Sequence, residues 1–110
     1  MARLRLAALV SGSGTNLQAL IDACAGPGFP AKIVLVVSNR PGVPALARAA
    51  KVGIPAEVVD HTTFAGRAAF DAALTARLEA ARAELVGLSG FMRLLTDGFV
   101  EHWRDRLINI

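Results

Sequence analysis

Short apolar runs alternate along this chain with segments of helical period, and few folds accept that rhythm. Leu4 to Val10 is rich in β-formers, and Ile33 to Val37 is five consecutive apolar residues, three of them valine. Ala56 to Val59, Leu85 to Leu88 and Leu107 to Ile110 are shorter runs of the same kind. An apolar run without alternation suits a strand covered on both faces, the normal state of a parallel sheet. Between the runs, Leu17, Leu20, Ile21 and Cys24 recur at i, i+3, i+4 and i+7, and this helix stops at Gly26-Pro27-Gly28. Pro44 to Val52 reads as a short Ala-rich helix with Gly53 as its left-handed cap. Arg67 to Arg82 carries Phe70, Leu74, Leu78 and Ala81 on one face. Thr96 or Asp97 can cap a last short helix that pairs Phe99 with Trp103.

Strand–helix alternation at this spacing predicts an α/β fold, a Rossmann-like parallel sheet with helices on both faces. With the order 3-2-1-4-5, the topological switch falls between strands one and four, and ligands bind at the carboxyl ends of those strands. Two loops then matter, Ser11–Asn16 and Ser89–Leu95. The chain stops at Ile110 inside an apparent strand, so residues 1–110 are expected to be the N-terminal, nucleotide-binding part of a single longer domain, truncated after strand five.

Composition removes several classes of function. The 110 residues suit one domain with a real core, and an apolar fraction of 54% excludes low-complexity disorder. No apolar stretch approaches the roughly 18 residues of a membrane span. Cys24 alone builds neither an internal disulfide nor a cysteine-based zinc site, and no metal is implied. Twelve Lys+Arg against nine Asp+Glu leave +3, and the ten arginines are scattered rather than striped, so no nucleic-acid partner is expected. Met1 to Arg5 leads into the first run without a signal-peptide pattern, which makes the cytoplasm the expected compartment and membrane association unexpected.

Gly12-Ser13-Gly14-Thr15-Asn16 joins a strand to a helix. Glycines let the backbone turn tightly, and a helix N-terminus offers free N–H groups with a favourable dipole, so an anion, phosphate above all, is the natural guest. The plain alternative is a turn with Thr15 or Asn16 as N-cap. A dinucleotide fingerprint needs a third glycine where Leu17 stands and an acidic residue where Ser38-Asn39-Arg40 follows strand two. Arg40 could hold a 2′-phosphate, which keeps an NADP-dependent oxidoreductase as a competitor. No Gly-Lys-Ser/Thr follows, which excludes a Walker loop.

The second loop, Ser89-Gly90-Phe91-Met92-Arg93-Leu94-Leu95, could hold a flat organic group, or its apolar side chains could simply be core. His61, in a loop, and His102, beside Trp103, read as surface residues without a carboxylate at a spacing that fixes a tautomer. Cys24 reads as core, and Arg48, Arg77 and Arg82 as solvated-face residues. Arg67 reads as a solvated helix start. Asn109, polar between Ile108 and Ile110, could donate to a developing oxyanion or satisfy backbone groups.

Three blocks in register, Ser11-Gly12-Ser13-Gly14-Thr15-Asn16-Leu17-Gln18, Ser89 to Leu95, and Arg106-Leu107-Ile108-Asn109-Ile110, resemble the phosphoribosylglycinamide formyltransferases of purine biosynthesis. The similarity runs along the whole chain and includes Val37-Ser38-Asn39-Arg40. It implies the formyltransferase fold and formyl transfer from 10-formyltetrahydrofolate to the amino group of glycinamide ribonucleotide through a tetrahedral intermediate. It implies that Gly14, Thr15 and Asn16 bind the substrate phosphate. Arg67, Met92, Arg93, Leu94, Leu95 and Asn109 would form the folate side, with Asn109 also catalytic. Ribonucleotide and folate would be the binding partners, and a homodimer stays open.

The family's pattern continues past the residue matching Ile110 with a catalytic His in a His-Pro-Ser-Leu-Leu-Pro segment and a later Asp. Neither is in this chain, and neither His61 nor His102 matches that His. Residues 1–110 are therefore expected to be inactive alone. The competitors are a methionyl-tRNA formyltransferase or formyltetrahydrofolate deformylase, the oxidoreductase above, and a non-catalytic phosphate-binding fragment. The Ser-Gly-Ser-Gly-Thr-Asn loop argues against the first two.

Overall fold

Parallel pairing throughout the sheet gives the strand order β3-β2-β1-β4-β5, the order expected from the alternation of runs. The computed structural model describes residues 3–110. Met1 and Ala2, the start of the segment read as leading into the first strand, lie outside the described residues. The strands are β1 (Leu4–Val10), β2 (Ala31–Ser38), β3 (Ala56–Val58), β4 (Leu85–Leu88) and β5 (Leu107–Asn109). The helices are α1 (Thr15–Cys24), α2 (Pro44–Lys51), α3 (Arg67–Ala80) and α4 (Asp97–His102), and a 3-10 turn covers His61–Thr63.

Strand β1 is central, and the period of two decides what each of its side chains meets. Ala7 and Leu9 join Leu35, Val37, Phe70, Leu74, Leu78, Val86, Phe99 and Trp103 in one core layer, beneath α3 and α4. Leu6, Ala8 and Val10 face the opposite layer, with Leu17, Ile21 and Cys24 of α1 and Ala45 and Ala49 of α2. The face predicted for α1 is therefore the buried one, and Cys24 is core. Burial raises its thiol pKa. Among the described residues, no helix is long and apolar enough to cross a membrane.

Boundaries shift where local chemistry outweighs the pattern. Strand β2 begins at Ala31, before the apolar run, because exposed Lys32 still pairs with Arg5 at the sheet's amino edge. Helix α3 ends at Ala80, and Arg82 turns into the left-handed region at φ 58. Thr96 rather than Asp97 caps α4, its hydroxyl accepting from the Phe99 amide at 3.2 Å. Gly53 follows α2 at φ 76, as its predicted capping role requires.

The loop after β1 is shaped by close packing against α2. Gly14 is left-handed at φ 80, and a Cβ there would lie 2.7 Å from Ala45 Cα and 2.8 Å from Ala45 Cβ. Gly12 has open space around the same position, although its carbonyl accepts from the Ala45 amide at 3.1 Å. We predict that Gly14→Ala destabilises the protein by about 1–3 kcal/mol in urea unfolding, through backbone strain and overlap with α2. Gly12→Ala should stay within about 0.5 kcal/mol of the parent. Equal losses would mean that the α2 contact does not set the loop.

Candidate functional site

A cleft of about 270 Å³ opens at the carboxyl ends of β1 and β4, where the order of the strands reverses. Gly12, Ser13, Gly14, Thr15 and Asn16 form one wall, Ser89, Gly90 and Met92 the other, and Arg40 stands at the rim. Gly14 is the N-cap of α1, and no side chain caps that end. This overturns the plain alternative, in which Thr15 or Asn16 caps the helix, and leaves the first-turn amides free for a ligand. The first turn holds no acidic residue. With exposed Arg40 close by, the electrostatics favour an anion.

Arg48 corrects a sequence reading. Instead of lying on a solvated face it is half-buried and braces the loop: its Nε donates to the Ser13 carbonyl at 2.8 Å and its terminal nitrogen to Gln18 Oε1 at 3.3 Å. Leu17, where a dinucleotide loop needs glycine, is fully buried under α1.

The two walls meet through Ser11. Its hydroxyl accepts from the Met92 amide at 2.7 Å and donates to Asn39 Oδ1 at 2.5 Å. The second loop divides its side chains. Met92 and Leu94 are 77% and 75% exposed, so the all-core alternative fails for them. Phe91 and Leu95 pack partly on the core beneath α3. The Arg93 guanidinium lies 5.5 Å from the centre of the Phe70 ring, and its buried Nε has no partner among the described residues. The buried Ser89 hydroxyl on the cleft wall likewise has none.

The structure therefore brings Gly14, Thr15, Asn16 and Met92 into one cleft, and Arg67, Arg93, Leu94, Leu95 and Asn109 do not line it. Arg67 is exposed at the first turn of α3. Asn109 is exposed at the end of β5, in register with Leu88 of β4, at the same edge of the sheet as the cleft.

Of the two histidines read as surface residues, His102 is one and His61 is not. His61 is half-buried, with Nδ1 at 3.1 Å from Asn39 Nδ2. His102 is exposed, but its Nε2 lies 3.5 Å from Glu79 Oε1, a carboxylate of another helix that sequence spacing could not show. Next to His61, Asp60 caps the 3-10 turn, and hydrogen bonds from the Thr62 hydroxyl and amide hold its carboxyl below the usual range. Arg77 is exposed as expected but pairs with Glu57. The sequence reading missed Ser11 and Asn39 as site-builders, because their hydrogen bonds join segments 28 and 81 residues apart.

The Formyl transferase family matches residues 4–110. The trifunctional purine biosynthetic protein adenosine-3 of Drosophila melanogaster is 54% identical over 110 residues, covering 98% of this chain and 8% of that protein. The phosphoribosylglycinamide formyltransferase of Haemophilus influenzae is 37% identical over 106 residues, covering 96% of this chain and 50% of that enzyme. A crystal structure of phosphoribosylglycinamide formyltransferase from Brucella melitensis superposes with a TM-score of 0.95 at 37% identity, covering 98% of this chain and 56% of that one. The chain spans about half the length of these formyltransferases and under a tenth of the trifunctional relative.

Titration with inorganic phosphate should shift the amide resonances of Gly14, Thr15 and Asn16 together. Arg40→Ala should weaken that binding about three- to tenfold, the loss shrinking as salt is added. Shifts scattered over the exposed arginines would remove the loop as an anion site.

Proposed function

The chain belongs to the formyl transferase family, and on that premise we propose that it forms the substrate-binding, N-terminal part of a phosphoribosylglycinamide formyltransferase domain. The reaction of that domain is formyl transfer from 10-formyltetrahydrofolate to the amine of glycinamide ribonucleotide. One observation carries the reading: an uncapped helix N-terminus built on left-handed Gly14 shares a cleft, through Ser11, with a loop that leaves Met92 and Leu94 exposed. One wall suits a phosphate and the other a flat heterocycle.

Each group has a task in this reading. The amides of Gly14, Thr15 and Asn16 hold the ribonucleotide phosphate, with Arg40 adding charge at the rim. Met92, Arg93, Leu94 and Leu95 form the folate side, where loop backbone and exposed apolar side chains meet the pterin, and Arg67 is assigned to the same substrate. Attack of the amine on the formyl carbon develops negative charge on the formyl oxygen. The Asn109 side-chain amide donates a hydrogen bond to that oxyanion and lowers the barrier more than it lowers the ground state.

Neither histidine lines the cleft. The resemblance to the family implies that proton transfer from the attacking amine falls to a His and an Asp in the remainder of the domain, and on this reading residues 1–110 alone bind without turnover. The family membership favours this reading over an oxidoreductase, as does buried Leu17 at the position of the missing glycine.

In the complete protein that carries this chain, Asn109→Ala should lower kcat by about 10²–10³ with little change in either KM. A loss below fivefold would contradict the oxyanion role. Gly12→Val has open space to occupy and should raise KM for the ribonucleotide while sparing KM for the formyl donor. An unchanged ribonucleotide KM would remove the loop from substrate binding.

A further inference from the structure

The polar groups beneath the cleft form a connected row across four strand ends. Met92, after β4, donates its amide to Ser11 Oγ at the end of β1. Ser11 has one hydroxyl hydrogen, and it goes to Asn39 Oδ1 just past β2. That fixes the Asn39 amide with its nitrogen toward His61 Nδ1, at 3.1 Å, just past β3. Asn39 Nδ2 can only donate, so in the bond between these two side chains Nδ1 of His61 accepts and the ring proton sits on Nε2. The Asn39 carbonyl lies at the same 3.1 Å and would accept from the other tautomer, so each tautomer satisfies one of the two Asn39 groups.

Ser11 and Asn39 are 4% and 2% exposed, so this row is shielded from competing water. Its far end is held by packing, the His61 ring standing edge-on to Phe70 at 6.5 Å between centroids. Its near end is a loop with little apolar anchorage at Met92 and Leu94. We propose that His61 is a positioning residue: acting through Asn39 and Ser11, it holds the Met92 amide and so sets the shape of the loop on the folate side. The proposal rests on the formyltransferase reading for its consequence in turnover, but not for its structural content.

The test compares His61→Phe, which keeps a ring against Phe70 without an acceptor, with His61→Asn, whose Oδ1 can replace Nδ1. In the complete protein, His61→Phe should speed hydrogen exchange of the Met92 amide about five- to tenfold, the effect of losing one buried hydrogen bond. The Leu9 amide, within β1, should not change. His61→Asn should restore Met92 protection. In turnover, His61→Phe should raise KM for the formyl donor about fivefold, with kcat and the ribonucleotide KM within twofold. Unchanged Met92 exchange, failure of His61→Asn to restore it, or a parallel loss at Leu9 would overturn the proposal. Faster exchange with an unchanged donor KM would overturn the positioning role. If the parent protein used no formyl folate at all, the functional reading would fall, while the exchange measurements would still decide the hydrogen-bonded row.

Discussion

The chain must leave a strand buried on both faces and enter a helix that packs on one of them, within the four residues from Ser11 to Gly14. Every other part of the site depends on how that turn is made. Leu6 to Val10 are all buried and pair with β2, and Leu6 to Leu9 pair with β4 on the other side, so β1 has no freedom to adjust. The turn is closed by Gly14 in the left-handed region, with Ala45 too near to allow a Cβ. An ordinary N-cap would have come from a Ser, Thr, Asn or Asp side chain bonded to the first-turn amides. Glycine in that position gives the tight turn and leaves those amides unused. The free amides that suit an anion are thus a consequence of the packing that closes the fold.

Electrostatics follow the same frame. Arg48 spends its guanidinium on the Ser13 carbonyl and on Gln18, so it stiffens the loop more than it attracts a ligand. Arg40 is exposed at the rim, its backbone tied to the Ser38 hydroxyl, which leaves its side chain as the cation closest to the cleft in function. Two arginines eight residues apart therefore do different work, and only their hydrogen bonds tell them apart.

The strand runs, the helix faces and the two loops were legible because local periodicity and turn chemistry encode them. Leu4–Val10 has the same bounds in sequence and structure, and Leu17, Ile21 and Cys24 are the buried positions of α1. The switch point was legible because strand order decides it. What stayed hidden was non-local and polar. Nothing near Ser11 marks it as the acceptor for Met92, nothing near His61 predicts Asn39, and Arg48 has no sequence feature that separates it from Arg77. The cap of α4 was ambiguous for a different reason: Thr96 and Asp97 both carry a competent oxygen, and only the backbone path chose Thr96.

The division of labour in the proposed reaction follows from where the titratable groups are committed. A general acid or base must reach the reacting amine directly or through one water. His61 presents Nδ1 to Asn39 and lies outside the cleft, on the far side of β2 from the switch point. His102 is paired with Glu79 between α3 and α4, away from the cleft. Asp60 is occupied by Thr62, and Asp71 gives one carboxylate oxygen to the Thr96 amide beneath α4. Among the described residues the cleft is lined by amides, hydroxyls, the Met92 side chain and one guanidinium, groups that bind and orient but are poor general acids and bases at neutral pH. On the formyltransferase reading, binding and oxyanion stabilisation therefore reside in these strand ends, and proton transfer has to enter the cleft from elsewhere in the domain.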